Sequence, residues 1–324
     1  MERLSRIIRP VEAELERFQQ FFNGALDSPD PLLKSALEHI KQRRGKMMRP
    51  ILVFLTAKWL GKVTDATFYS AVALELLHTA SLVHDDVVDE SDERRGQASV
   101  NALYGNKVSV LVGDYLLATC LMHASHTKSG PIVEAVARLG QNLSEGEILQ
   151  LSNIDNVSFD ESVYFDIIRK KTSALFATCT QAAALSAGVA AGDVEKARLL
   201  GEYIGICFQI RDDIFDYFND PQIGKPTGND LREGKLTLPA LYALNRSGDK
   251  EAARLAQRVK QGLATDDEIA WLVDFVKREG GIEYASRAMQ DYKGRAAALV
   301  AGNPSSDVAE ALLLYIDYVV DRAK

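Results

Sequence analysis

The chain has 324 residues, 47% of them apolar and 26% charged, with a formal net charge of −7 at pH 7. That length can build a large hydrophobic core, and nine prolines and 22 glycines are few enough to favour long helices with short connections. The acidic balance excludes a nucleic-acid surface, which needs a net basic stripe, but it leaves room for an anionic small-molecule substrate, because local charge decides that.

Helical punctuation recurs along the chain, with a polar cap or first-turn proline opening a segment and a glycine closing it. The N-terminal MERLSRIIRPVEAELERFQQ has no apolar core of signal-peptide length. Pro10 opens a segment ending near Gly24, Asp30 and Pro31 open the next, and Pro50 opens PILVFLTAKWLG, which stops at Gly61. Thr64 caps a long helix reaching Glu90, and NKVSVLVGDYLLATCLMHASH follows after a short loop. Further helices cover Ile132 to Leu151, Asp160 to Ala190, Asp193 to Phe218 and Lys235 to Asn245, followed by three or four C-terminal stretches. No apolar run approaches the roughly 20 residues that span a bilayer, so no transmembrane segment is expected. Cys120, Cys179 and Cys207 are widely spaced in apolar helical contexts, which points to core filler in a reduced, cytoplasmic protein. With no strand-type alternation, low-complexity segment or linker, one all-α domain spanning 1–324 is the economical reading, and no Rossmann or P-loop glycine pattern is present.

The most distinctive feature is a near-repeat. HDDVVDE, from His84 to Glu90, recurs in kind as RDDIFDY, from Arg211 to Tyr217, each near the C-terminal end of a long apolar helix. Around the first, Asp85, Asp86, Asp89, Glu90, Asp92 and Glu93, with Glu75 upstream, gather like charges that weaken a helix unless a cation sits there. A helix C-terminus is already electronegative, so the carboxylates also oppose its dipole. One DDxxD is more often a solvated acidic patch; two of them, each flanked by apolar helix, favour bound cations and two walls of one cavity. Residues four apart lie about 40° apart around a helix, so Asp85 and Asp89 share a face, as do Asp212 and Asp216. Asp86 and Asp213 lie about 100° away and are better placed as outer metal ligands. Carboxylates at this spacing suit Mg²⁺, a hard ion that keeps several waters and takes substrate phosphates as ligands.

Cationic residues recur near both motifs. Arg94 and Arg95 follow the first, RGKMMRP places Lys46 and Arg49 before a helix, RKKTS offers Lys170, Lys171 and Thr172, and GKPTGNDLREGKLTLP offers Lys225 and Lys235. Arginine forks bind phosphate oxygens in pairs and lysine supplies point charge, so beside two Mg²⁺ sites they read as two separate diphosphate holds. His78 lies about 20° from Asp85 around the helix and is a candidate hydrogen-bond donor to a second phosphate.

These residues resemble the trans (E)-isoprenyl diphosphate synthases, of the isoprenoid synthase fold, and among them the long-chain, octaprenyl-type members. The likeness covers nearly the whole chain, from GKMMRP through ELLHTASLVHDDVVDESDERRG, GNKVSVLVGDYLL, SEGEILQL and IIRKKTSALF to FQIRDDIFDY and GKPTGNDLREGKLTLP. It implies an all-α bundle of long helices around a central cavity. It also implies that Asp85 and Asp89, with Asp212 and Asp216, ligate several Mg²⁺ ions bound to an allylic diphosphate. Arg94, Lys171, Thr172, Gln209, Lys225 and Lys235 would contact that diphosphate, while Lys46, Arg49, His78 and Arg95 would hold isopentenyl diphosphate. One departure concerns GGKRxRP, the family's usual pattern: here Arg44 replaces the first glycine and Met47 the first arginine. A homodimer, transient membrane contact for product release and a quinone side chain as destination follow from the same resemblance.

The implied chemistry is electrostatic. Cations stabilise charge building on the departing diphosphate, the allylic C–O bond ionises, the double bond of isopentenyl diphosphate attacks, and a proton is lost to the released diphosphate. Burial among apolar helices keeps water from the carbocation. Other readings are a short-chain farnesyl or geranylgeranyl synthase, a terpene cyclase and a non-catalytic synthase subunit. Cyclases usually carry an Asn/Ser/Glu metal motif on the second helix and need no isopentenyl site, and non-catalytic subunits tend to lose one aspartate motif, whereas both are intact here. Ala80 and Ser81 stand just upstream of Asp85, where an aromatic residue would block a growing tail, so a product longer than geranylgeranyl is expected. Leu117, Leu121 and Met122 are candidates for the tunnel floor, with core packing as the simpler role. Ala80→Tyr should shorten the product, which chromatography of the extracted prenyl chains would show.

Overall fold

The computed structural model describes residues 2–42, 45–94, 96–153, 159–218, 227–301 and 306–321. In chain order come α1 (Glu2–Ile8), a 3-10 turn (Arg9–Val11), α2 (Glu12–Ala25), α3 (Pro31–Gln42), α4 (Met48–Leu60) and α5 (Asp65–Val88). A two-stranded ribbon follows, β1 (Glu93–Arg94) against β2 (Gln97–Ala98), then α6 (Val100–Tyr104), α7 (Asn106–His126), α8 (Gly130–Ser152) and α9 (Glu161–Ile168). A π-helical turn (Arg169–Ser173) leads into α10 (Ala174–Ala187) and α11 (Ala191–Phe215). The remainder is α12 (Asn229–Arg232), α13 (Leu238–Ser247), α14 (Lys250–Lys260), α15 (Asp266–Arg278), α16 (Gly281–Val300) and α17 (Asp307–Asp321). The expected all-α fold is observed, the ribbon being its only strand structure among the described residues.

Local chemistry sets most boundaries. Thr64 caps α5 through a box in which its hydroxyl accepts from the Thr67 amide and the Thr67 hydroxyl from its own. The helix ends at Val88 with Asp89 as its C-cap, slightly before the expected Glu90, which adopts a left-handed φ of 50°. Pro50 does not open α4 but sits in its first turn, where its missing N–H costs nothing.

The chain divides into two compact units. The first contains 1–141, 175–201 and 300–315, the second 142–174, 202–299 and 316–324. Every division falls inside a helix, namely α8, α10, α11, α16 or α17. In the first unit Phe54 lies with its ring centroid 6.2 Å from Phe18 and 5.0 Å from Phe68, and the Arg17 guanidinium stands 4.2 Å over Phe68. Helices α5 and α7 run against each other, with Tyr69 5.3 Å from His126 at one end and His84 on Gly113 at the other. The second unit's core gathers Tyr217, Leu244, Leu255, Leu272 and Phe275 with their neighbours.

By length and composition alone α5 and α7 could cross a membrane, against the expectation that no such run exists. In α5 61% of the apolar window is buried within the fold, where core packing accounts for it. The three cysteines are free and buried, as expected of core residues, and burial pushes each thiol up to about 12.

Two outcomes follow. A Cβ at Gly201 would lie 2.3 Å from the Phe176 carbonyl and 2.3 Å from the Thr180 hydroxyl. Gly201→Ala should therefore destabilise by about 1–3 kcal/mol in denaturant unfolding. Native protein at pH 8 should leave all three thiols unreactive toward a thiol reagent, whereas unfolded protein should titrate Cys120, Cys179 and Cys207.

Candidate active site

The acidic end of α5 is pinned before its charges are reached. His84 Nε2 lies 3.2 Å from the Val110 carbonyl and 3.6 Å from Asp114, which is possible because Gly113 has no side chain; a Cβ there would lie 2.1 Å from the imidazole. Beyond it Asp85 is half-buried, Asp86 is 1% exposed, and Asp89 is exposed. Asp86 Oδ1 accepts from Arg94 Nε, which the ribbon returns toward the helix. Among the described residues its buried Oδ2 has no hydrogen-bond partner, an arrangement that costs free energy unless a cation or donor completes it.

Arg49, in the first turn of α4, points its fork at Glu75 of α5: Nε donates to Oε2 at 2.9 Å and Nη2 to Oε1 at 3.0 Å. Glu75 thus leaves the acidic cluster in which the sequence placed it. Burial works against the guanidinium's charge, but Glu75 outweighs that and holds its pKa above the ordinary value. Lys46 is exposed just before α4, and His78 is half-buried on α5. Ser81 is half-buried and donates to the His78 carbonyl at 2.9 Å, whereas Ala80 is fully buried. Leu121 and Met122, at 53% and 57% exposed, are not core residues of this unit, against the core-packing expectation, and Leu117 is half-buried.

In the second unit two glycines permit close approach. A Cβ at Gly146 would lie 3.0 Å from the Lys171 amide nitrogen, and one at Gly205 would lie 2.5 Å from the Ser173 Cα. The π turn is therefore flanked by α8 and α11. Lys171 pairs with Glu147 and donates to Gln150 at 3.3 Å. The Thr172 hydroxyl donates to Gln209 Oε1 at 2.6 Å, Gln209 Nε2 donates to Asp213 Oδ1 at 2.8 Å, and Tyr164 Oη donates to Asp213 Oδ2 at 2.5 Å. Both oxygens of Asp213 are thus engaged by protein donors at 2% exposure. Burial, with Asp230 adding to it, pushes this carboxyl well above the usual range, and burial likewise raises the Tyr164 hydroxyl.

The three aspartates of the second motif differ accordingly. Asp212 is half-buried on α11. Asp216 accepts from the backbone amides of Asn229 and Asp230, at 2.9 and 3.0 Å, capping α12. Lys235 pairs with Glu233 at 2.5 Å. Arg95 and Lys225 lie outside the described residues.

The first unit thus assembles Asp85, Asp86, Asp89, Arg94, Lys46, Arg49 and His78, and the second Lys171, Thr172, Gln209, Asp212, Asp213, Asp216 and Lys235. Sequence reasoning missed Tyr164 and the role of Glu75. Glu75 stands three residues before His78 on the same helix, a usable signal, whereas nothing in the pattern marks Tyr164.

Among the described residues no group of three or more His, Cys, Asp or Glu is arranged to hold a metal ion by itself. The donor set still fits Mg²⁺, since it offers carboxylate oxygen throughout and includes the partnerless, buried Oδ2 of Asp86.

Comparison with known proteins places the chain in a family. The model of the polyprenyl synthetase family matches residues 30–276. The octaprenyl diphosphate synthase of Haemophilus influenzae is 33% identical over 320 residues, covering 98% of this chain and 97% of that one. A crystal structure of geranylgeranyl pyrophosphate synthase from Bacteroides thetaiotaomicron is 56% identical with a TM-score of 0.88, covering 99% of this chain and 100% of that one. A polyprenyl synthase from Caulobacter crescentus, solved with calcium and isoprenyl diphosphate, is 34% identical with a TM-score of 0.90, covering 98% of both chains. The match over most of the chain, together with full-length relatives above 30% identity, shows that this chain belongs to the polyprenyl synthetase family, whose enzymes are prenyltransferases.

Proposed function

We propose that the chain is a Mg²⁺-dependent synthase that adds isopentenyl diphosphate repeatedly to an allylic diphosphate, making an all-trans, octaprenyl-type product for a quinone side chain. The observation that carries this reading is the pair of intact DDxxD motifs at the ends of α5 and α11, with the buried Asp86 Oδ2, partnerless among the described residues, in the first.

Asp85, Asp86 and Asp89 would hold Mg²⁺ at the first motif and Asp212 at the second, with Asp213 and Asp216 supporting the second motif through the bonds described. Bound there, Mg²⁺ supplies positive charge that neutralises the allylic diphosphate and makes it a better leaving group. Arg94, Lys171, Thr172, Gln209, Lys225 and Lys235 are assigned to that diphosphate, and Lys46, Arg49, His78 and Arg95 to isopentenyl diphosphate. Lys171 and Arg94 would exchange their carboxylate partners for phosphate oxygens and stabilise the charge that develops as the C–O bond breaks.

A second reading, a geranylgeranyl synthase, is favoured by the 56% identity to the Bacteroides thetaiotaomicron structure. The long-chain reading is supported by small residues at Ala80 and Ser81. The exposed apolar residues Leu111, Leu121 and Met122 of α7, at 66%, 53% and 57%, support a homodimer, and the free cysteines accord with a cytoplasmic location.

Purified protein supplied with labelled isopentenyl diphosphate and allylic primers should elongate them only with Mg²⁺; no elongation from any primer would overturn the proposal. Asp85→Asn should lower kcat by about two to three orders of magnitude while leaving the thermal midpoint nearly unchanged. Because Ala80 is fully buried, Ser81→Phe is the gentler test of the tail's path than Ala80→Tyr. It should shift the chromatographed product toward shorter chains.

A further inference from the structure

We propose that Glu75 is a positioning residue for isopentenyl diphosphate, acting by holding the Arg49 fork in one orientation; the inference rests on the function proposed above and deepens it. Three features converge on Arg49. Its Nε and Nη2 are both committed to the Glu75 carboxylate, at 2.9 and 3.0 Å, with the two side chains only 19% and 17% exposed. This leaves Nη1 and the second N–H of Nη2 as the donors for another acceptor.

The backbone beneath is equally constrained. Met47, the residue before α4, takes a left-handed conformation at φ 50° and ψ 34°, unfavourable for a side chain without local compensation. Its sulfur accepts from Gln19 Nε2 at 3.6 Å, and the Met48 carbonyl accepts from the Tyr315 hydroxyl at 3.1 Å. Met47 supplies no side-chain cap to the helix that begins there, and the helix start lies at the same end as Arg49 and Lys46. A strained residue and a doubly bonded arginine on one turn are the features of a preorganised anion hold. Met47, at the position where the family usually has arginine, reaches toward Gln19 of α2 and supplies no further cation.

The sign of the effect separates this role from charge compensation. A carboxylate beside a bound diphosphate repels it, so if Glu75 merely neutralised Arg49, Glu75→Gln would tighten isopentenyl diphosphate. If Glu75 orients Arg49, the same change puts an amide N–H against a guanidinium N–H, the fork swings, and binding weakens. The expected result is a rise of about tenfold in KM for isopentenyl diphosphate, the loss of one charge-assisted bond, with kcat and the KM of the allylic substrate unchanged. Calorimetric titration with isopentenyl diphosphate should show the same loss of affinity. Arg49→Lys, which keeps the charge without the fork, should reproduce the rise, and Glu75→Gln should add nothing in an Arg49→Gln background. Should Glu75→Gln not fold, as judged by circular dichroism, Glu75→Asp and Arg49→Lys carry the test. An unchanged or lowered KM, or an equal rise in the Arg49→Gln background, overturns the proposal. If wild-type protein neither binds nor consumes isopentenyl diphosphate, the functional reading itself falls, a result distinguishable from a working wild type with an unaffected variant.

Discussion

A charge drawn out of water has to be matched by another, and this requirement organises the candidate residues of each unit. Arg49 is matched by Glu75, Arg94 by Asp86, Lys171 by Glu147 and Lys235 by Glu233. The pairs are not equal. Breaking a buried pair costs about 3–5 kcal/mol, against about 0–1 for an exposed one. Arg94 with Asp86, and Arg49 with Glu75, therefore shape the first unit, whereas Lys235 and Glu233, about a third and half exposed, can separate at little cost. A diphosphate arriving at such residues meets cations already oriented by acids and competes for them.

The second motif shows how hydrogen bonding separates residues that look alike in sequence. Asp213 is closed off by Tyr164 and Gln209, and Asp216 caps α12. That arrangement depends on missing side chains: Gly205 lets α11 approach the π turn, bringing Thr172 within 2.6 Å of Gln209. π turns inside helices often mark functional segments, and here the turn carries Lys171 and Thr172 together.

Within the first unit the close fit of α5 to α7 has a similar origin. Gly113 admits the His84 ring, and the residue following His84 is Asp85. On the same helix Ala80 is completely buried and Ser81 half-buried, so the two small residues expected to shape a tunnel are not equivalent.

Much was legible in the sequence because it depends on local periodicity. Long apolar helices, the Thr64 cap, the α7 stretch and the two aspartate motifs all follow from rules that act within a few residues along the chain. The division into two units was not legible, because its boundaries lie inside continuous helices and leave no linker to read. Nor were the pairs of Glu75 with Arg49 and Tyr164 with Asp213, separated by 26 and 49 positions. Residue type and spacing along a helix determined which side chains could bind a cation or a phosphate. Only tertiary packing decided which of those carboxylates are already spent on protein donors, because burial and hydrogen bonding depend on neighbours that the chain brings together from afar.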